Sequence, residues 1–154
     1  LDGRNTIAPN ANPEMQLGFT TVSAGGTPER TQLIDTRICD CCQTAIAWAR
    51  SGPVVAYRDR SDGEIRDISI IRQVDGQWSA PRSVHADNWN IDGCPVNGPA
   101  IAARDDRLAV AWFTGANDSD QVKVAFSTDG GSTFGAPVPA NGSETWKVGG
   151  WKEA

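Results

Sequence analysis

An all-β protein is what this sequence predicts, and three observations carry the prediction. Short runs rich in Val, Ile and Thr recur along the chain, and 16 Gly and 9 Pro punctuate them. No long stretch of Leu, Glu, Lys and Ala offers a helix. The chain also resembles itself at a shift of about 55 residues, a period that calls for a repeated supersecondary unit. With 154 residues it is long enough to bury one sizeable core.

The repeat sets the elements in order. T-A-I-A-W-A-R-S-G-P-V-V-A-Y-R (Thr44 to Arg58) aligns with P-A-I-A-A-R-D-D-R-L-A-V-A-W-F (Pro99 to Phe113), so that Ile46 falls on Ile101, Val55 on Val110 and Tyr57 on Trp112, each 55 residues on. Farther along, S-A-P-R-S-V (Ser79 to Val84) matches G-A-P-V-P-A (Gly135 to Ala140) at a shift of 56. The first unit reads as strands near Thr44 to Ala49, Pro53 to Arg58 and Asp67 to Arg72, with a last one after Trp78. The second reads as Ala100 to Arg104, Leu108 to Phe113, Val122 to Ser127 and Ala136 to Val138. Between them S-G-P, R-D-D-R, R-S-D-G-E and G-A-N-D-S-D are turn chemistry. Four antiparallel strands every 50 or so residues is the pattern of a β-propeller blade, and a sandwich does not explain the repeat.

Four segments follow: 1–36, a partial preceding blade and linker; 37–92, one blade; 93–140, a second; and 141–154, the start of another or a tail. Leu17 to Ser23 and Thr31 to Asp35 read as outer strands of the preceding blade, and T-W-K-V-G-G-W near the C-terminus as the opening of the next. Propellers close with about four to eight blades. Two complete blades plus partial ones therefore imply a piece of a larger protein or a subunit whose copies complete a ring. The start on Leu1 and the K-E-A ending favour the piece.

Within the second unit, S-T-D-G-G-S-T-F (Ser127 to Phe134) matches S-x-D-x-G-x-T-[WF] at every defined position, namely Ser127, Asp129, Gly131, Thr133 and Phe134. This resembles the Asp-box of the sialidase-like, or BNR-repeat, propellers. Asp129 is suited to accept turn N–H groups, Gly131 to adopt a conformation a Cβ would forbid, and Phe134 to tuck against the sheet. The first unit keeps only an Asp-Gly turn and an aromatic, in R-Q-V-D-G-Q-W (Arg72 to Trp78). The resemblance implies a six-bladed ring and gives the box no catalytic role.

Sialidases of that family hold a carboxylate with three arginines and use a Tyr nucleophile helped by a Glu, with an Asp as acid/base. The stretch Y-R-D-R-S-D-G-E-I-R-D (Tyr57 to Asp67) carries these residue types, and Arg58, Asp59, Glu64 and Arg66 are the candidates the resemblance implies. The family's F-R-I-P or Y-R-I-P sequence is absent. The alternating signs also read as a solvated hairpin of weak cross-strand pairs. Tyr57 aligns with Trp112, which makes it a core aromatic rather than a nucleophile.

The connection Val84 to Gly98, V-H-A-D-N-W-N-I-D-G-C-P-V-N-G, holds the single histidine, His85, and Trp89 between Asn88 and Asn90. Indole beside amides suits a sugar, whose apolar face stacks while its hydroxyls are bonded. A Trp buried between blades is the plainer reading. N-W-N-I-D-G imitates a calcium loop but has Asn first and Pro99 where the bidentate Glu belongs, so calcium is not expected. Asn117 and Asn141 head short glycosylation-type triplets.

Of the four cysteines, Cys39, Cys41 and Cys42 crowd together, and Cys94 lies 55 residues after Cys39. The repeat brings all four to one end of the two units. Adjacent Cys41 and Cys42 disfavour a bond between them, so one of the two is expected to reach Cys94. Disulfides are the first reading and a zinc or copper thiolate site the second; C-x-C-C departs from the spacing of the common zinc motifs. No other cofactor is expected.

A net charge of −5, with 11 Arg, 3 Lys and no basic stripe, disfavours nucleic acid and anionic membrane as partners. No apolar run approaches the roughly 20 residues of a membrane span, and the first residues lack the regions of a signal peptide. Cysteine use and the family resemblance imply an extracytoplasmic location. The functional expectation is a binding or scaffolding module with carbohydrate as ligand, completed by further blades or a second copy. The alternatives are an exo-sialidase-like hydrolase with catalytic residues partly on other blades, and a metal-binding propeller.

Overall fold

Strands supply nearly all the regular structure of residues 14–140, the part of the chain that the computed structural model describes. In chain order they are β1 (Leu17–Phe19), β2 (Gln32–Asp35), β3 (Ala45–Ala49), β4 (Gly52–Arg58), β5 (Ile68–Val74), β6 (Gln77–Trp78), β7 (Arg82–Ser83), β8 (Ala100–Arg104), β9 (Arg107–Thr114), β10 (Gln121–Ser127) and β11 (Val138–Pro139). One 3-10 turn, Ala116–Asp118, separates β9 from β10. They form three antiparallel sheets: a β1-β2 hairpin, a first sheet β3-β4-β5 edged by β6 and β7, and a second sheet β8-β9-β10-β11. The all-β expectation holds, and within the stretches Leu17 to Ser23 and Thr31 to Asp35 the short strands β1 and β2 form and pair with each other. T-W-K-V-G-G-W and Asn141 lie outside the described residues.

The two larger sheets repeat each other in register. Ile46 faces Val55 and Ala49 faces Gly52 in the first; Ile101 faces Val110 and Arg104 faces Arg107 in the second, each position shifted by 55. On the third strand the shift is 54, since Arg58 faces Ile68 and Phe113 faces Val122. On the fourth it is 56, since Ile70 faces Arg82 and Val124 faces Val138. One residue lost in the turn before the third strand and two gained before the fourth leave the pairing unchanged. The fourth strand of the first sheet departs from a simple ladder. It is split into β6 and β7, both on β5, with Pro81 at the break, because proline brings no N–H to the ladder.

Burial explains the patterning. Every residue of β4 is buried because both faces of the first sheet are covered. Val54, Ala56, Ile68 and Ile70 on one face pack against Leu108, Val110 and Trp112 of the second sheet, with Ala49 and Ala125 completing that core. Val55, Tyr57 and Ile71 on the other face meet Met15, Leu17 and Ile38 beside the β1-β2 hairpin. Burying a Leu or Ile side chain such as these is worth about 1.5–3 kcal/mol. In β9 the alternation is clean, because among the described residues only one face of the second sheet is covered. Its other face keeps Val122, Phe126 and Val138 exposed.

Strands β3 and β8 lie side by side, and hydrogen bonds cross between residues one repeat apart. Arg50 N donates to Asp105 O at 3.1 Å, and Gly98 N to Gln43 Oε1 at 3.0 Å. A Cβ on Gly98 would run into the Gln43 carbonyl, so glycine permits this approach.

The turn after β10 is held by the Ser127–Phe134 box. Ser127 Oγ donates to Asp129 Oδ1 at 2.8 Å and accepts Gly131 N at 2.9 Å. Asp129 also accepts Thr133 N at 2.8 Å and Thr133 Oγ1 at 2.6 Å. Phe134 packs on the core shared by the two sheets. Gly131 has φ +86°, and a Cβ there would lie 2.9 Å from both Ile70 Cδ1 and Leu108 Cδ1. The box thus reaches across to the first sheet as well as closing its own turn.

Two outcomes are expected of the box. Gly131→Ala should lower the unfolding free energy by about 1–3 kcal/mol through backbone strain and overpacking, measured by urea denaturation. Asp129 is held at about 2, chiefly by the Thr133 hydroxyl, against an ordinary value of 3.8. Because its folded value is depressed, its contribution is complete above pH ~4 and lost as pH falls through ~2. Acid titration of Asp129→Asn should accordingly show a shallower loss of stability in that window.

Candidate functional site

Arg58, at the end of β4, is buried at 1% exposure, and each of its three guanidinium nitrogens donates a hydrogen bond. Nε donates to Asn97 O at 2.6 Å, Nη1 to Arg66 O at 2.5 Å and Nη2 to Phe113 O at 2.7 Å. Its own carbonyl accepts Cys39 N at 3.0 Å. Burial lowers its pKa to about 10, with Asp67 and Asp87 opposing the shift. The expectation of a solvated hairpin is therefore corrected: Arg58 and Arg66 are both interior, because open backbone carbonyls surround the first and Glu64 meets the second. With all three nitrogens bonded to carbonyls and the side chain buried, this guanidinium is closed off from a ligand carboxylate.

The turn 59–67 instead assembles a charged knot around Glu64. Arg60 Nε lies 3.1 Å from both of its carboxylate oxygens, Arg66 Nη2 donates to Oε2 at 2.7 Å and Arg37 Nη2 to Oε1 at 3.2 Å. Arg60 also pairs with Glu14 at 2.8 Å and Asp40 at 3.3 Å, and Arg37 with Asp62. Arg60 first, then Arg66, hold Glu64 at about 2, and Glu64 in turn raises Arg60. Arg66 Nε and Arg37 Nε are buried without a hydrogen-bond partner. Asp59 sits apart, accepting Ser69 Oγ at 2.8 Å, with its pKa raised by burial. Tyr57 is buried, donates to Asp35 Oδ2 at 2.5 Å and has its pKa raised by burial.

In the loop between the sheets, Trp89 is 9% exposed. Arg58 lies over its ring at 4.9 Å, Phe113 meets it edge-on at 5.6 Å and Gly115 packs beside it. The indole face a sugar would need is taken by Arg58. Asp67 fixes the loop by accepting Asn88 N at 2.9 Å and Trp89 N at 3.0 Å, and Asn88 adopts φ 55°. Asn90 Nδ2 donates to Gly63 O at 2.6 Å. His85 lies 3.6 Å from Asp87, whose side chain is buried and accepts Trp112 Nε1 at 2.7 Å and Lys123 Nζ at 2.5 Å. His85, Asn88, Trp89 and Asn90 thus share a loop but do not converge on one cavity.

All four cysteines do converge. Cys39 pairs with Cys42 and Cys41 with Cys94, with Cα separations of 5.6 and 6.3 Å, both inside the disulfide range. The expected link from the Cys41–Cys42 pair to Cys94 is present. The remaining bond corrects the spacing: Cys39 and Cys42 themselves stand as C-x2-C, which attention to the crowded C-x-C-C hid. The cluster borders a cleft of about 620 Å³, lined by Met15, Leu17, Ile38, Asp40, Gln43, Thr44 and Val96 besides Cys39, Cys41 and Cys42. Val96 holds φ 58°, a costly conformation for a β-branched residue. Asp40 joins this cleft to the charged knot through Arg60.

Sequence reasoning missed Asp67, Asp87, Arg37 and Arg60 as organisers of this end of the molecule. Their one signal was position, each lying at or beside a strand end or in the inter-sheet loop. Comparison with family models, curated proteins and solved structures finds no match for the chain. Among the described residues no helix is long and apolar enough to cross a membrane.

Arg58→Lys keeps a charge but not the fork, leaving buried carbonyls unsatisfied. It should cost about 2–4 kcal/mol in urea denaturation, and an unchanged midpoint would contradict the bonding described.

Proposed function

We propose that the chain is a segment of a sialidase-like Asp-box β-propeller serving as a carbohydrate-binding or scaffolding module. The observation that carries the reading is the repeated register. Two antiparallel sheets pair in the same register over their first three strands one repeat apart, with their first strands side by side and the complete box on the second. Stacked blades with inner strands around an axis produce this pattern.

The uneven covering of the sheets supports ring completion. The first sheet buries Val54, Ala56, Ile68 and Ile70 under its successor. The corresponding face of the second sheet carries Ala109, Ala111, Val122, Val124 and Phe126, of which Val122 and Phe126 are exposed. By continuity with the existing interface, that face is suited to a third repeat or a second copy.

Carbohydrate remains the favoured ligand because the cleft of about 620 Å³ is a size suited to a small ligand and mixes polar Asp40, Gln43 and Thr44 with apolar walls. The hydrolase alternative gains less support, since Tyr57 is buried and Arg58 is committed to carbonyls.

Glycan-array binding that weakens ~10-fold or more in Asp40→Ala and Thr44→Ala, without turnover of a fluorogenic sialoside, is the expected result, since losing one polar contact costs about 1.4 kcal/mol or more. Turnover would favour the hydrolase, and no binding to any glycan would defeat the ligand class. Sedimentation of the chain should show self-association that Phe126→Asp abolishes; a stable folded monomer would sink the second-copy form of ring closure.

A further inference from the structure

We propose that a second pocket, where the outer edge of the first sheet meets the Ser127–Phe134 box, binds one acidic sugar residue, with its carboxylate or sulfate gripped by Arg72 and Arg82.

The pocket has a volume of about 330 Å³ and shares no lining residue with the cysteine cleft. Arg72 of β5 and Arg82 of β7 both line it. Register puts them on one face of the sheet, since Ile70 pairs with Arg82 and Arg72 follows Ile70 by two residues. Such diagonal neighbours stand about 7–8 Å apart, so that two side chains of this length can close on one group. Among the described residues neither guanidinium has a hydrogen bond or an ion pair, and no carboxylate lines the pocket. Elsewhere the arginines are committed: Arg50 to Asp105 and Asp106, Arg60 and Arg66 to Glu64, Arg58 to carbonyls. Arg72 Nη1 reaches the box turn, 3.9 Å from where a Cβ on Gly130 would stand, while Asp106, which also borders Gly130, is held by Arg50 at 3.2 Å.

The second sheet shows what packing alone asks of these positions. Its register places Phe126 where the first sheet has Arg72 and Val138 where it has Arg82, so apolar side chains stand at both. Two arginines in place of an apolar pair, on one face and in one pocket, break the pattern with no internal partner to compensate. Departures of that kind mark functional positions.

The break in the outer strand shapes the site. Opposite Arg72 the ladder is closed by Ser79, whose N donates to Arg72 O at 2.9 Å and whose Oγ accepts Arg72 N at 3.2 Å. Ala80 and Pro81, between β6 and β7, then line the pocket with Ile70 and Gly131 and give it apolar walls. Such walls suit the C–H face of a pyranose, and each planar guanidinium offers paired N–H groups to a carboxylate or sulfate. The volume lies at the low end for ligand pockets, which fits a single ring. With a net charge of −5 and no basic stripe around them, the two arginines suit one acidic group rather than a polyanion.

The test titrates the chain with digalacturonate, with a monosulfated disaccharide and with neutral cellobiose, following the arginine Nε–H signals by nuclear magnetic resonance. An acidic disaccharide should bind at least ~10-fold tighter than cellobiose and shift the Arg72 and Arg82 signals. Binding of only one acidic sugar identifies carboxylate or sulfate as the group held. Arg72→Gln and Arg82→Gln should each weaken that binding ~10-fold or more. Arg82 is exposed, so Arg82→Gln should keep the parent's urea midpoint and decides the matter even where Arg72→Gln is unstable. Arg104 is exposed and outside the pocket, and Asp40 lies in the cysteine cleft; Arg104→Gln and Asp40→Ala should both bind as the parent does. No preference for an acidic disaccharide, an Arg104→Gln loss as large as that of Arg82→Gln, or binding lost in Asp40→Ala and kept in Arg82→Gln would each overturn the assignment.

Discussion

A single guanidinium ties this molecule together. Arg58 bonds carbonyls from three separate segments, at Arg66, Asn97 and Phe113, while its own carbonyl receives Cys39. The first of these belongs to the charged turn, the second to the cysteine loop and the third to the second sheet. Trp89 covers the guanidinium face. An isolated buried charge would be expensive, and here fixed carbonyl dipoles and the nearby carboxylates of Asp67 and Asp87 offset that cost. The repeat gives this residue its reach: Arg58 and Phe113 occupy equivalent positions, so the bond between them is a link from one unit to the next.

The strands were legible because the repeat and the turn chemistry pointed the same way. Thr44 to Ala49 and Ala100 to Arg104 were read within a residue of β3 and β8. Less visible was the split at Pro81, whose effect depends on which strand lies alongside it. The burial of Arg58 and Arg66 was not legible at all. A run of alternating charges looks solvated in one dimension, and only the folded turn shows carbonyls converging on Arg58 and Glu64 beside Arg66. Trp89 illustrates the reverse: its neighbours Asn88 and Asn90 suggested a ligand surface, but distant Arg58 and Phe113 decide its surroundings. Cys94 was found by its equivalence to Cys39, whereas the Cys39–Cys42 bond is local and was overlooked.

Covalent and polar links divide the labour between the two ends of the sheets. Around the cysteines, the chain between Ile38 and Thr44 is stitched by one short-range and one long-range bond, the latter spanning a sequence separation of 53. Closing so long a loop restricts the unfolded chain far more than the C-x2-C bond does. At the box, by contrast, cohesion comes from Ser127, Asp129 and Thr133 acting on their own turn, and from Gly131 allowing Ile70 and Leu108 to close over it.

The proline at the break between β6 and β7 has a consequence for solubility. Outer strands expose unpaired N–H and C=O groups to other chains and so template edge-to-edge pairing. Here both outer strands are only two residues long, and both run through Ala-Pro sequences, with Pro81 beside β7 and Pro137 and Pro139 at β11. Proline offers no donor to an incoming strand, and Arg82 adds charge to one of these edges. The same residues that truncate each sheet's last ladder therefore guard its rim against amyloid-like extension.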